Sequence, residues 1–246
     1  RDRAIGTLNR ERAQLSGVFQ MAVDTGYIFS NPARKVKSIP VDNARDKVLE
    51  REDEAKLFAA LTGKDAKLKP IAVLGLYAGL RLGEALNLTW EQVDLSEKPA
   101  LTIKGKAKGR KKKKRVIPLR AVPFKLLQDL RAKCDGKGRV FTARGLHPVT
   151  VSKRFATICD EIGLPDVTFH TLRHTFLSRL VDVTGNAAHA QHVAGHSDLT
   201  TTQGYLHSGE KAVRESMKKM DDWEAEKGVF WPIADAINDT KTATAK

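Results

Sequence analysis

Residues 70–78, PIAVLGLYA, carry no charge over nine positions, and this run limits the possible folds more than any other segment. A helix that is apolar on every face belongs inside a core. The run therefore reads as a buried helix, closed by Gly79 because glycine is the usual residue just past a helix end. With 246 residues, 41% of them hydrophobic, the chain can build one good-sized core or a main domain plus a smaller one.

Helical spacing appears on both sides of that run. Leu8, Leu15, Val18, Phe19 and Ala22 form one apolar stripe, closed by Gly26. Asn31-Pro32 then breaks the chain, and residues 33–47 are basic, polar and poor in large apolar groups, as a linker would be. A second helix spans about 50–61, acidic at its start as the helix dipole favours, and a short one begins at Arg81 and runs to about Leu88. Leu101-Thr102-Ile103 and Val116-Ile117 are β-like runs flanking a basic segment, which predicts a hairpin. Helical patterns return at 122–133, 150–162, 170–184, 187–194 and 211–226. The expected fold is mainly α with a small antiparallel β-sheet (α+β), preceded by part of a helical domain. The expected divisions are 1–40, a linker at 41–47, a main domain at 48–226 and a tail at 227–246. The chain does not start with Met and opens inside a helix, so it reads as a piece of something longer. Tyr27 and Tyr77 sit among apolar residues and are expected in the core.

The charge balance narrows the partner. Lys and Arg number 43 against 29 Asp and Glu, a formal net charge of +14, which points to a polyanion, with nucleic acid ahead of an anionic membrane. No stretch approaches the ~18 apolar residues of a membrane span, and no apolar leader follows Arg1. Cys134 and Cys159 show no framework or zinc spacing. A reducing, cytoplasmic compartment fits best.

Four clusters carry potential chemistry. The first is His170-Thr171-Leu172-Arg173-His174, which on a helix places His170, Arg173 and His174 on one face at i, i+3 and i+4. A forked cation beside a tunable proton carrier suits a phosphate oxygen. The plain alternative is an ordinary polar helix face. A zinc reading is weaker, since Thr171 stands where HExxH needs Glu and no third ligand is obvious. The second cluster is Ala194-Gly195-His196-Ser197 followed by Thr200-Thr201-Thr202-Gln203-Gly204-Tyr205. Here Tyr205 lies in a polar setting, off any apolar stripe. The third is Ala78-Gly79-Leu80-Arg81-Leu82-Gly83-Glu84, in which Arg81 opens a helix and Glu84 lies one turn further on the same face. That spacing reads either as a surface ion pair or as a guanidinium oriented by a carboxylate. The fourth is 104–115, where nine of twelve residues are basic: Lys104, Lys106, Lys108, Arg110, Lys111, Lys112, Lys113, Lys114 and Arg115. No core could hold this run. It is a solvated loop, a localisation-like tract or a finger that reaches DNA.

Together, AGLRLGE, a Lys-bearing hairpin ending in RVIPL, HTLRH and GHSDLTTTQGY resemble the tyrosine recombinase or phage integrase family over about 48–226. The first helix and Asn31-Pro32 resemble the end of that family's core-binding domain. The resemblance implies that Arg81 and Arg173 clamp the phosphate and that Glu84 supports Arg81. It also implies that His170 and His196 are the active-site histidines and Tyr205 the nucleophile. A hairpin lysine would be the general acid. Lys106 matches best, with Lys104 and Lys108 competing because this hairpin is longer and more basic than usual. Ala194 also departs from the pattern, standing where a larger aliphatic residue is common.

The resemblance further implies double-stranded DNA as substrate, a 3′-phosphotyrosyl intermediate, no metal or nucleotide cofactor and a homotetramer on synapsed DNA. Accessory DNA-bending or directionality proteins are possible partners. The segment after Tyr205 would pack on a neighbouring subunit, which would employ the apolar Val229, Phe230 and Trp231, although packing on its own core serves them nearly as well. Rival readings are a type I topoisomerase or resolvase-like enzyme, a DNA-binding regulator with a decayed site, and a zinc hydrolase. Integration, excision and transposon movement stay open.

Overall fold

The computed structural model describes residues 5–40, 47–104, 114–143, 145–195 and 209–226, with 209–211 as backbone only. The chain divides into two compact units, residues 1–45 and 46–246.

In the first unit, α1 (Ile5–Asp24) is followed by a 3₁₀ turn at Pro32–Lys35. Asn31 caps that turn by accepting from the Ala33 amide at 3.0 Å, and it donates to the Ser16 carbonyl at 2.9 Å. Beyond it the chain lies back along α1. Arg12 donates to the Val36 carbonyl, and the Asn9 side-chain amide exchanges two hydrogen bonds with the Ile39 backbone. Residues 32–39 are therefore ordered against the helix, and the linker composition read from residue 33 onward does not describe them. The apolar stripe forms as expected, yet α1 buries none of its residues. Tyr27, expected in a core, is 83% exposed. It lies just past α1 in a unit whose described residues supply only one short return segment to cover the helix.

The second unit is built around the apolar run. Helix α2 (Arg51–Ala60) leads to α3 (Lys69–Ala78), every residue of which is buried. Its main partner is α7 (Phe169–Thr184), whose Leu172, Phe176 and Leu180 are fully buried. Gly79 ends α3 with φ 64°, and a Cβ there would stand 2.6 Å from the Phe176 ring, so both backbone and space demand glycine. After α4 (Leu82–Leu86) come β1 (Val93–Asp94), β2 (Ala100–Lys104) and β3 (Lys114–Pro118), an antiparallel sheet in the order β1-β2-β3. The hairpin register pairs Leu101 with Ile117, Ile103 with Arg115 and Lys104 with Lys114. Helices α5 (Ala121–Arg131), α6 (Pro148–Glu161) and α8 (Ala187–Ala194) complete the layer around α3 and α7.

The last described helix, α9 (Gly209–Glu226), packs on α7, α8 and β3 of its own unit. Val213, Met217 and Met220 are buried at helical spacing, and each such side chain removed from water is worth about 1.5–3 kcal/mol. Arg120 donates to Asp221 at 2.9 Å and to Glu224 at 2.5 Å, and the Arg51 guanidinium stacks over Trp223 at 5.0 Å. Residues 212–226 thus have partners within their own unit. The tail at 227–246, with Val229, Phe230 and Trp231, lies outside the described residues. Among those residues, no helix is long and apolar enough to cross a membrane.

Candidate active site

Two helix starts bring the charged residues together. Arg81 is the residue before α4, in extended backbone, so its amide is one of the donors that a helix leaves unpaired. Glu84, one turn in, accepts that amide at 2.9 Å through Oε2, while Oε1 accepts from the Arg81 guanidinium at 3.1 Å. The i, i+3 spacing thus serves two purposes, closing the helix end and aiming the arginine. Arg81 remains 41% exposed, so its other guanidinium face is available to a ligand.

Arg173 is set differently. It lies one turn into α7, whose start is fixed by the Thr171 hydroxyl accepting the Thr168 amide at 3.0 Å. Only 1% exposed, its guanidinium donates to the Gly79 carbonyl at 2.5 Å and to the Ala194 carbonyl at 2.6 Å, and it stands 4.0 Å from Glu84. It therefore ties together the end of α3, the end of α8 and α7. Burial lowers its pKa to about 10, helped by repulsion from Arg81 and Arg115 and opposed by Glu84. At neutral pH it remains a cation. Glu84 has the opposite balance: burial raises its pKa, but hydrogen bonds from Arg115 and the Arg81 amide, with the charges of both arginines, win and leave the carboxyl below its ordinary value.

Arg115 is the residue that sequence reasoning misplaced. Grouped with the basic finger, it is instead 8% exposed and forks onto Glu84, Nη1 to Oε1 at 3.0 Å and Nη2 to Oε2 at 2.7 Å. The strand period contained the signal: Arg115 and Ile117 share one face of β3, opposite the buried Ile103 and Leu101. Lys104 and Lys114 are exposed at the end of the hairpin that leads into its connecting segment. Lys106, Lys108, Arg110, Lys111, Lys112 and Lys113 lie outside the described residues.

His170 is exposed at the start of α7, and His174, half-buried, shares a hydrogen bond with Ser178 at 3.0 Å. Among the described residues, no group of three His, Cys, Asp or Glu is placed to hold a metal ion. Helix α8 ends at Gly195, whose φ is 62° and whose amide returns to the Gln191 and His192 carbonyls. His196 and Tyr205 follow outside the described residues.

A second buried charge group went unread in the sequence. Glu54 accepts from the Tyr77 hydroxyl and, at 2.9 Å, from Arg179, whose other nitrogen donates to the Leu49 carbonyl. The Leu49 amide donates to Thr175. These bonds fasten the start of the second unit to α7. Burial and the neighbouring Glu54 carboxylate push the Tyr77 phenol well above its ordinary pKa.

Three guanidiniums thus converge on one carboxylate, Arg81 open to a ligand and Arg115 and Arg173 sunk in the floor. The model of the phage integrase family matches residues 47–212, and the chain belongs to that family of site-specific recombinases. Among its relatives, the tyrosine recombinase XerC of Xylella fastidiosa (strain M23) is 28% identical over 209 residues, covering 82% of this chain and 69% of that protein. A tyrosine recombinase of Thermosipho africanus (strain TCF52B) is 28% identical over 221 residues, covering 87% and 76%. The fold is similar to that of the Tn1549 transposon integrase in complex with circular intermediate DNA, with a TM-score of 0.64 and 22% identity over 87% of this chain and 79% of that one. It is also similar to a λ integrase dimer bound to a COC′ core site, with a TM-score of 0.63 and 21% identity over 80% and 74%.

Proposed function

We propose that the chain cleaves and rejoins duplex DNA at specific sites, with Tyr205 as nucleophile. The observation that carries this reading is the convergence of Arg81 and Arg173 on Glu84, beside the turn at Gly195 that leads to His196. The Tyr205 oxygen attacks the scissile phosphorus, its proton passing to His170, while the bond to the 5′-oxygen breaks. Charge gathers on the two non-bridging oxygens, where Arg81, Arg173 and His196 stabilise it in the role a metal ion plays elsewhere. The departing 5′-oxygen takes a proton from Lys106. The 3′-phosphotyrosyl ester conserves the energy of the broken bond, so a free 5′-hydroxyl reverses the steps without a nucleotide cofactor. Residues 1–40 are the end of a core-binding domain, 41–47 its linker, 48–226 the catalytic domain and 227–246 a tail exchanged between subunits of a tetramer on synapsed DNA. Accessory DNA-bending or directionality proteins complete the assembly.

The test is covalent trapping. DNA fragments that the chain protects are selected from its own genome, nicked beside the scissile phosphate and incubated with the protein and a chelator. A protein–DNA adduct unaffected by the chelator supports the reading, and an adduct that appears only with Mg²⁺ overturns the mechanism.

Lys106 has its own discriminating substrate. Replacing the bridging 5′-oxygen with sulfur supplies a leaving group that needs no proton, because a thiol's pKa is about 8.5 whereas an alcohol's is far higher. Lys106→Ala is severely impaired on ordinary DNA and nearly restored on the sulfur substrate, while Lys104→Ala and Lys108→Ala show no selective rescue. Rescue of either of those instead moves the role there.

Binding weakens steeply with salt, since a protein releases about 0.9 counterions for each phosphate it neutralises on B-DNA. Serine at Arg110, Lys111, Lys112 and Lys113 lowers the slope of log affinity against log salt. Lys114 and Arg115 are kept, because Arg115 is committed to Glu84. An unchanged slope identifies the tract as a solvated loop.

A further inference from the structure

We propose that Arg115 is a positioning residue for the recombination chemistry: by occupying both oxygens of Glu84 it keeps that carboxylate, already bonded to Arg81, from also pairing with and neutralising Arg173. The inference rests on the phosphate-clamp reading of Arg81 and Arg173 and adds what keeps the charge of Arg173 free.

Glu84 is the only carboxylate shown in an ion pair with these three guanidiniums among the described residues. Its two oxygens receive four donors at hydrogen-bond distance. Two come from Arg81, at 2.9 and 3.1 Å, and two from Arg115, at 2.7 and 3.0 Å. Arg173 is held off at 4.0 Å. A carboxylate with two oxygens offers about four lone-pair sites, so the shell is full. The fork–fork contact with Arg115 is also the one that meets carboxylate geometry best, with two parallel short bonds.

Take Arg115 away and two of those sites open. Arg81 is already bonded to Glu84, and the next cation is Arg173, whose Nη1 needs to approach by only about an ångström to bond, an attraction that grows as the separation shrinks. A carboxylate bonded there cancels the charge meant for the phosphate.

Position reinforces the assignment. Arg115 lies on β3 opposite Ile103, at the base of the basic hairpin, and its side chain runs under the turn that ends α8. A Cβ at Gly195 would stand 2.9 Å from Arg115 Cδ and Nη1. The bare glycine at φ 62° is what lets the guanidinium pass beneath the residue preceding His196. One side chain thus touches the hairpin, the Arg81 helix and the turn at Gly195.

The experiment is a double-mutant cycle on the full chain, with fold checked by circular dichroism and thermal melting. Readouts are single-turnover adduct formation on nicked DNA, duplex affinity, and the carbon-13 titration of the Glu84 carboxyl. Arg115→Met keeps the volume and removes the charge. It lowers adduct formation by roughly a hundredfold, the scale for losing one transition-state donor, with duplex affinity nearly kept. Adding Glu84→Gln to Arg115→Met recovers at least about tenfold, a positive coupling expected only of residues acting on one another. A merely structural Arg115 predicts a further loss in the double variant, and a DNA-contacting Arg115 predicts a lower salt slope with no rescue; either result overturns the inference. Should Arg115→Met fail to fold, Arg115→Lys takes its place: it keeps the charge but not the fork, falls less far, and is still improved by Glu84→Gln. The Glu84 titration moves upward in Arg115→Met whether or not the chain cleaves DNA. That shift with no adduct from the parent protein refutes the clamp while keeping the pairing. An unmoved titration refutes the pairing.

Discussion

Tyr205→Phe binds duplex DNA as the parent does and forms no covalent adduct at all. On the proposed mechanism the loss is complete, because the phenol oxygen would be the atom that bonds to phosphorus and nothing else on the ring would contribute to that step. The structure narrows the competition among the three tyrosines of the chain. Tyr77 is buried and gives its hydroxyl to Glu54, and burial with that carboxylate raises its pKa, so it stays protonated and out of reach of a phosphodiester. Tyr27 is exposed, but it belongs to the unit that lacks Arg81 and Arg173. Tyr27→Phe therefore keeps full adduct formation, and it is the control that matters most. Adduct from Tyr205→Phe, or its loss in Tyr27→Phe with DNA binding intact, removes Tyr205 from the role. Peptide mapping of the DNA-linked fragment checks the same point directly.

How far the sequence reached depends on what kind of signal each feature leaves. The helix over 70–78 and the alternating ends of the hairpin were legible because apolar periodicity reports burial directly. The elements found at Lys69–Ala78, Ala100–Lys104 and Lys114–Pro118 follow it closely. Arg81 and Glu84 were legible as a pair because i, i+3 is a local relation that any helix enforces. Arg115 was not, although its strand parity pointed inward, because eight other cations in the same run drew the eye to charge and away from alternation. Its partner Glu84 lies 31 residues away, and no local spacing announces such a contact. The group of Glu54, Tyr77 and Arg179 was missed for the same reason, since it joins α2, α3 and α7 across 125 positions of the chain. Tyr27 failed in the other direction. Its apolar neighbours suggested a core, but α1 and the segment returning along it do not form one.

Arg173→Ala loses adduct formation by at least about a hundredfold, the usual effect of deleting one charge-stabilising donor, and the informative companion is Arg173→Lys. Lysine is the conservative choice only if a point charge suffices. Here the guanidinium must also donate to the Gly79 and Ala194 carbonyls at once, which a fork can do and an ammonium at one point cannot do with the same geometry. The protonation argument is sharper. Burial, with Arg81 and Arg115 nearby, already brings the arginine down to about 10. A lysine starts lower than arginine, from about 10.4, so the same surroundings carry it downward toward the neutral form. A base with a depressed pKa regains its charge as pH falls. The adduct rate of Arg173→Lys relative to Arg173→Ala therefore rises as pH is lowered from 9 to 6, a ratio in which titrations common to both variants cancel. Both variants also melt lower, because each unpaired buried carbonyl costs about 1–3 kcal/mol, so rates are compared well below both melting transitions. Arg173→Lys within about tenfold of the parent at pH 8, or a ratio flat with pH, would mean that Arg173 acts as a simple positive charge and that its two carbonyl bonds matter only to the fold.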